Sequence, residues 1–244
     1  MIQKTILVIG AGSSIGVPLV INLLDLGFRV IAQSRSTPSK LFDIKIKNPE
    51  NLIFFNLDFS NENAEKETIA LIELCGNELF SVVHLPSVPP EIHPLSMTSI
   101  EDFELHINFQ LRSLHLVFQN LNKVMKRSPD FRVVAVNSEL SKKDLPPKGL
   151  APYVIAKSVA DRYLNCLDSE YRSYGVKVNQ ILPGMFRSPF INGYPEYVID
   201  DMLGEDNKDG ITPEEDLIPL ILYLLSHFGR NIYGQKIEVN GINS

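Results

Sequence analysis

The run Thr5-Ile6-Leu7-Val8-Ile9, followed at once by Gly10-Ala11-Gly12-Ser13-Ser14-Ile15-Gly16, constrains the fold more than any other feature. The first five residues are too few for a helix and rich in β-branched side chains, which reads as a buried strand. Ile15–Leu26 then carries apolar residues at 15, 19, 20, 23, 24 and 26, one helical face, and stops at Gly27. Strand, glycine turn and helix thus follow one another within the first 27 residues. The alternation continues. Strands are expected at Phe28–Ala32, Leu52–Phe55, Ser81–Leu85, Arg132–Val136, Val176–Leu182 and Lys236–Val239. Helices are expected at Ala64–Leu74, Ile100–Lys126, Tyr153–Tyr174 and Glu214–Ser226. Strands separated by helices imply βαβ crossovers. The expected fold is α/β: a doubly wound parallel sheet in a Rossmann-type three-layer αβα sandwich, with residues 1–244 forming a single domain.

Composition narrows the function classes. Hydrophobic residues make up 44% and charged residues 21%, an ordered globular balance. The net charge of −6 argues against nucleic acid as a partner. Two cysteines, Cys75 and Cys166, suffice for neither a disulfide framework nor a four-cysteine zinc site, and both lie in helical patterns that suggest buried thiols. No apolar run approaches 18 residues, so no membrane span is expected, and the N-terminus reads as a strand rather than a signal peptide. A cytoplasmic enzyme-sized domain is the expectation.

Glycines between a strand and a helix permit a tight turn and let backbone N–H groups approach a pyrophosphate at the helix N-terminus. The next strand ends in Ala32-Gln33-Ser34-Arg35-Ser36. A carboxylate there would hold a ribose 2′-hydroxyl; an arginine suits a 2′-phosphate. Arg35 stands with no acid beside it, so the residues favour NADP(H) over NAD(H). Further along, Tyr153-Val154-Ile155-Ala156-Lys157 places a phenol and an ammonium on one helical face. The phenol's ordinary value near 10 is too high for acid–base work at neutral pH, and a neighbouring positive charge is expected to lower it.

With these features the chain resembles the short-chain dehydrogenase/reductase family, in its single-domain branch of about 250 residues, from end to end. Gly10–Gly16 is similar to the nucleotide turn, Arg35 to the arginine of NADP-preferring members, and Asp58 to the residue that contacts adenine after the third strand. Asn108 in Phe103-Glu104-Leu105-His106-Ile107-Asn108 matches the helix asparagine, and Ser138 closes the strand that delivers the active serine. Tyr153 and Lys157 match the Y-x-x-x-K pair, and Val178–Gly184 the stretch into a Pro-Gly turn. Gly234–Gly241 matches the closing strand.

The resemblance implies roles. Tyr153 would be the general acid or base at the substrate oxygen, and Lys157 would lower its pKa and hold the nicotinamide ribose. Ser138 would hold the carbonyl oxygen, and Asn108 would keep a relay water in place. The cofactor would be held by Gly10, Ser13, Ser14, Ile15 and Gly16 at the turn and by Ser34, Arg35 and Ser36 at the second strand. Asp58, Leu85 and Pro86 would border the adenosine and the central sheet. Tyr153, Lys157, Pro183, Gly184, Phe186 and Ser188 would line the nicotinamide end. The activity implied is hydride transfer between NADP(H) and a carbonyl or alcohol carbon. Candidate substrates are a 3-oxoacyl thioester, a keto sugar or another small ketone. A substrate loop or lid is expected around 185–212, with Met185, Phe186, Tyr194 and Tyr197 as pocket candidates.

Three departures mark a divergent member. Ser14 replaces the middle glycine of the turn. His84-Leu85-Pro86-Ser87 stands where the family has Asn-Asn-Ala-Gly, and Asn240-Gly241-Ile242 lacks the double glycine. The departures at 84–87 keep open an alternative, a catalytically silent NADP(H)-binding redox sensor or scaffold. His106 and His115, nine apart on one helix, point to opposite faces and make no metal pair, which leaves them structural or surface roles. By resemblance the helices at 100–126 and 153–174 would build a homodimer or homotetramer. Lys123, Lys126, Arg127 and Arg172 form a basic set that an acyl carrier protein could recognise.

Overall fold

The computed structural model describes residues 4–184, 186–187, 212–213 and 216–239. Seven parallel strands form one sheet in the order β3-β2-β1-β4-β5-β6-β9. These are β1 (Thr5–Ile9), β2 (Arg29–Ser34), β3 (Leu52–Asn56), β4 (Leu79–His84), β5 (Arg132–Val136), β6 (Lys177–Pro183) and β9 (Lys236–Val239). The helices are α1 (Gly16–Asp25), α2 (Ser39–Lys47), α3 (Ala64–Cys75), α4 (Ile100–Arg127), α5 (Ala151–Tyr171) and α6 (Leu217–Leu225). The doubly wound sheet and single domain agree with the expectation. No helix among the described residues is long and apolar enough to cross a membrane.

The central strands β1 and β5 are buried on both faces, as parallel sheets covered by helices require, and the edge strands β3 and β9 are more open. In β1, Leu7 and Ile9 pack toward α3, α4 and α5, whereas Ile6 and Val8 pack toward α1 and α6. Ser99 caps α4 in a reciprocal pair with Asp102: each backbone N–H donates to the other's side chain at 3.1 Å. Pro152 lies in the first turn of α5.

Two expectations needed correction. Helix α2 was not anticipated: Phe42, Ile44 and Ile46 alternate as a strand would, and only Leu41 of this helix is buried. Cys75 is buried, but Cys166 lies on the outward face of α5 and is exposed. Phe186–Arg187 (β7) pairs in parallel with Thr212–Pro213 (β8). The expected lid is otherwise outside the described residues, as are Met185, Ser188, Tyr194, Tyr197 and the Asn240-Gly241-Ile242 tip.

Candidate active site

The strand order reverses between β1 and β4, which opens a crevice at their carboxyl ends. Gly10 turns the chain there with φ +80°, a value that favours glycine. A Cβ on Gly16 would lie 2.6 Å from the Gly10 carbonyl oxygen, so only glycine lets α1 start so close to β1. Ser13 Oγ accepts the Gly16 N–H at 2.9 Å, and Ile15, at the head of α1, has no side-chain cap. Gly12, Ser13 and Ser14 are exposed. An exposed glycine turn leading into a helix N-terminus is a place that fits a pyrophosphate, and Ser14, itself exposed, does not close it.

Gln33 secures this turn. It is buried within β2; its Oε1 accepts from Gly10 N–H at 3.1 Å and its Nε2 donates to the Leu57 carbonyl at 2.6 Å. Leu85 N–H donates to the Ile9 carbonyl at 3.0 Å, and Pro86 runs directly over Gly10. At the end of β2, Arg35 is exposed and has no ion-pair partner among the described residues. Ser34 Oγ donates to the Ser36 carbonyl at 2.7 Å, and Asp58 accepts from Ser60 N–H at 2.9 Å, so both are engaged in their own turns. Pro183 ends β6, and Gly184 N–H donates to the Val239 carbonyl at 3.0 Å. Phe186 is placed in β7.

Across the crevice, β5 delivers Ser138 and α5 delivers Tyr153 and Lys157. Ser138 and Ser87 are the hydroxyls that act on the Tyr153 phenol, each drawing its titration downward. Lys157, 2% exposed, lies with Nζ 5.5 Å from the centre of the Tyr153 ring. Burial pushes the Lys157 ammonium down to about 8. The expected lowering of the phenol is reversed: burial raises Tyr153 above its ordinary value, and Ser138 and Ser87 offset only part of the rise.

Asn108 does not join this cluster. It is exposed on α4, in a surface depression with Ser60, Glu104 and Arg112. His106 instead meets the Tyr153 ring edge-on, with centroids 6.4 Å apart and planes at 85°. At ~100° per residue, Asn108 is rotated about 200° from His106, onto the opposite face. His106 is one turn from Gln110, and both are buried. The helix thus presents His106, Gln110 and Ser113 inward. His84, at the end of β4, meets Ser113 Oγ at 3.1 Å.

Sequence reasoning missed Gln33 and Gln110 and set His106 aside. The available signal was a polar residue at a position the apolar pattern reserves for the core, as in Val30-Ile31-Ala32-Gln33.

A family model described as short chain dehydrogenase matches residues 4–196. The chain is 20% identical over 257 residues to an NADPH-dependent aldehyde reductase-like protein, chloroplastic, of Arabidopsis thaliana, covering 98% of this chain and 93% of that one. It is 21% identical to an acetoacetyl-CoA reductase of an Acinetobacter species, covering 98% and 97%. Among solved structures, levodione reductase superposes with a TM-score of 0.85 at 16% identity, covering 98% of this chain and 96% of that one. A 3-ketoacyl-(acyl-carrier-protein) reductase from Brucella melitensis complexed with NADH gives 0.82 at 17%, covering 99% and 98%. The family model spans most of the chain, and the sheet order and glycine turn accord with it: this protein belongs to the short-chain dehydrogenase family and is an oxidoreductase of that kind.

Proposed function

We propose that the protein is an NADP(H)-dependent carbonyl reductase or alcohol dehydrogenase acting on a small ketone or aldehyde. The observation that carries this reading is the Tyr153 phenol set beside the buried Lys157 ammonium, with the buried Ser138 hydroxyl acting on it. The nicotinamide, when bound, supplies the hydride in reduction and takes it in oxidation. Ser138 holds the substrate oxygen, and Tyr153 Oη delivers a proton to that oxygen as negative charge develops there. Lys157 keeps a positive charge behind the phenol and favours the phenolate left by proton transfer.

Support for NADP(H) comes from Arg35, exposed and without a competing carboxylate at the end of β2. Two relatives named as NADPH-dependent, from Arabidopsis thaliana, agree with it. The substrate is read as a free small molecule rather than a carrier-bound thioester. Lys126 lies over the Tyr171 and Tyr174 rings and Arg172 is paired with Asp168, which leaves fewer free cations for an acidic carrier. A homodimer or homotetramer through α4 and α5 is part of the proposal. So is a turnover-competent site rather than a silent sensor, since Ser138, Tyr153 and Lys157 converge.

The test is calorimetric binding of NADPH and NADH, then a panel of ketones and aldehydes followed by NADPH absorbance. The expected result is tighter NADPH binding, lost preferentially in Arg35→Ala, and turnover that Tyr153→Phe abolishes. Equal affinities with no effect of Arg35→Ala would overturn the cofactor assignment. Turnover that survives in Tyr153→Phe would overturn the site.

A further inference from the structure

Behind Tyr153 and Lys157 runs a chain of polar side chains that the proposed chemistry does not use. Lys236, on the last strand, pairs with Asp161 Oδ1 at 2.5 Å. Gln180 Nε2 donates to the same oxygen at 3.2 Å, and Asn165 Nδ2 donates to Asp161 Oδ2 at 3.2 Å. Gln180 Oε1 accepts from Asn137 Nδ2 at 3.1 Å, and that amide also donates to the Lys157 carbonyl at 3.2 Å. Gln180 and Lys236 are direct partners across β6 and β9. Asn137, Asp161 and Gln180 are each at least nine-tenths buried.

Direction runs through this chain from one end. A carboxylate only accepts, so Asp161 forces the Gln180 amide to turn its NH2 inward and its carbonyl toward Asn137. Asn137 must then present its own NH2, which points both donors at Gln180 and at the Lys157 backbone. In this orientation Asn137 Oδ1 is left buried with no hydrogen-bond partner. Turned over, that oxygen would face two carbonyl oxygens.

Position matters equally. Tyr153, Lys157 and Asp161 recur every fourth residue along α5, as one stripe. Apolar contacts such as Ala160 and Leu164 hold the helix on the sheet, and directional polar contacts further constrain its rotation and its axial register. A carboxylate gripped by two strands fixes both, at a point one turn from Lys157. Asn137 also precedes Ser138 in the chain, so the same clamp reaches both sides of the site.

We propose that Asp161, held by Gln180 and Lys236 and continued through Asn137, is a positioning residue that sets the placement of Tyr153 and Lys157 against Ser138. This rests on the reductase reading given above. Asp161→Asn keeps the shape but removes the enforced direction, so the amide chain can flip. The expected result is a fall in kcat for ketone reduction of about tenfold, with the NADPH dissociation constant, read by fluorescence, within about twofold of wild type. Lys236→Arg should retain kcat. The triple variant Asp161→Leu, Gln180→Leu, Lys236→Met refills the site with apolar groups; it should fold if Asp161→Asn does not, and show the same kcat loss. A turnover-free measurement is the NMR signal of the Lys157 ε-methylene, assigned through Lys157→Met, which should move in Asp161→Asn. Wild-type kcat in a folded variant with an unmoved Lys157 signal would overturn the proposal. If the wild-type protein reduces no ketone at all, the reductase reading fails, and the Lys157 signal alone decides the clamp.

Discussion

His84 Nε2 lies 3.1 Å from Ser113 Oγ, between the end of β4 and the inward face of α4, and both residues are fully enclosed. Ser113 Oγ donates onward to the Gln110 carbonyl at 3.0 Å, so it accepts from His84, which assigns a proton to Nε2. Burial, reinforced by the Lys157 charge, holds His84 down to about 3.

This makes His84 a source of acid sensitivity in the fold. Between 6.5 and about 3 the unfolded chain binds a proton at His84 that the folded protein refuses. Stability therefore falls as pH drops through that window, by on the order of 3 kcal/mol at pH 4. Urea unfolding at pH 7 and pH 4 checks it. His84→Asn should remove most of the difference between the two midpoints; an unchanged difference would place the acid lability elsewhere.

Activity should carry the mark of Lys157. Its ammonium titrates at about 8, whereas the Tyr153 phenol is raised and stays protonated. Reduction is expected to be level below pH 8 and to decline as pH rises through that value and the positive charge is lost. Tyr153→Phe should lower kcat by about 10²–10⁴-fold while NADPH still binds. A profile that rises through pH 8 would contradict the role given to Lys157.

Gln33 should matter to cofactor binding out of proportion to its distance from the chemistry. Gln33→Leu strands the Gly10 N–H and the Leu57 carbonyl, one at the glycine turn and one at the exit of β3. Each unsatisfied group costs about 1–3 kcal/mol. The expected outcome is a lowered Tm together with NADPH binding weakened about tenfold and kcat at saturation little changed. Calorimetry on the variant separates these effects.

Much of this was legible before any coordinates. β1, β5 and β9 have the expected bounds because apolar runs between turn residues leave little choice of register. Tyr153 and Lys157 were readable as a pair from their four-residue helical spacing, and the family resemblance is what gave them, and Ser138, a role. What was not legible lay where two elements negotiate a contact. Gln180 and Asn137 look like breaks in an apolar strand until Asp161 arrives from α5 to meet them. The rotation of α4 was equally hidden. The resemblance offered Asn108 to the site, but packing of His106, Ser113 and Leu114 against the core decides otherwise and turns Gln110 inward instead.

That decision is itself testable. Asn108 stands in an exposed depression with Glu104 and Arg112, and Arg112 is already tied to the Phe59 and Asn61 carbonyls at 2.9 and 3.0 Å. Asn108→Ala removes a solvated side chain, so stability should change by no more than about 0.5 kcal/mol, and kcat should stay near the wild-type value. Gln110 is 4% exposed, one turn beyond His106 on the face that meets Tyr153. Gln110→Leu replaces a buried amide on that face, and kcat is expected to fall more than in Asn108→Ala. Parallel kcat and Tm measurements on the two variants decide it. A large kcat loss in Asn108→Ala with an unshifted Tm would mean that α4 rotates when cofactor binds, and that the face described here is not the working one.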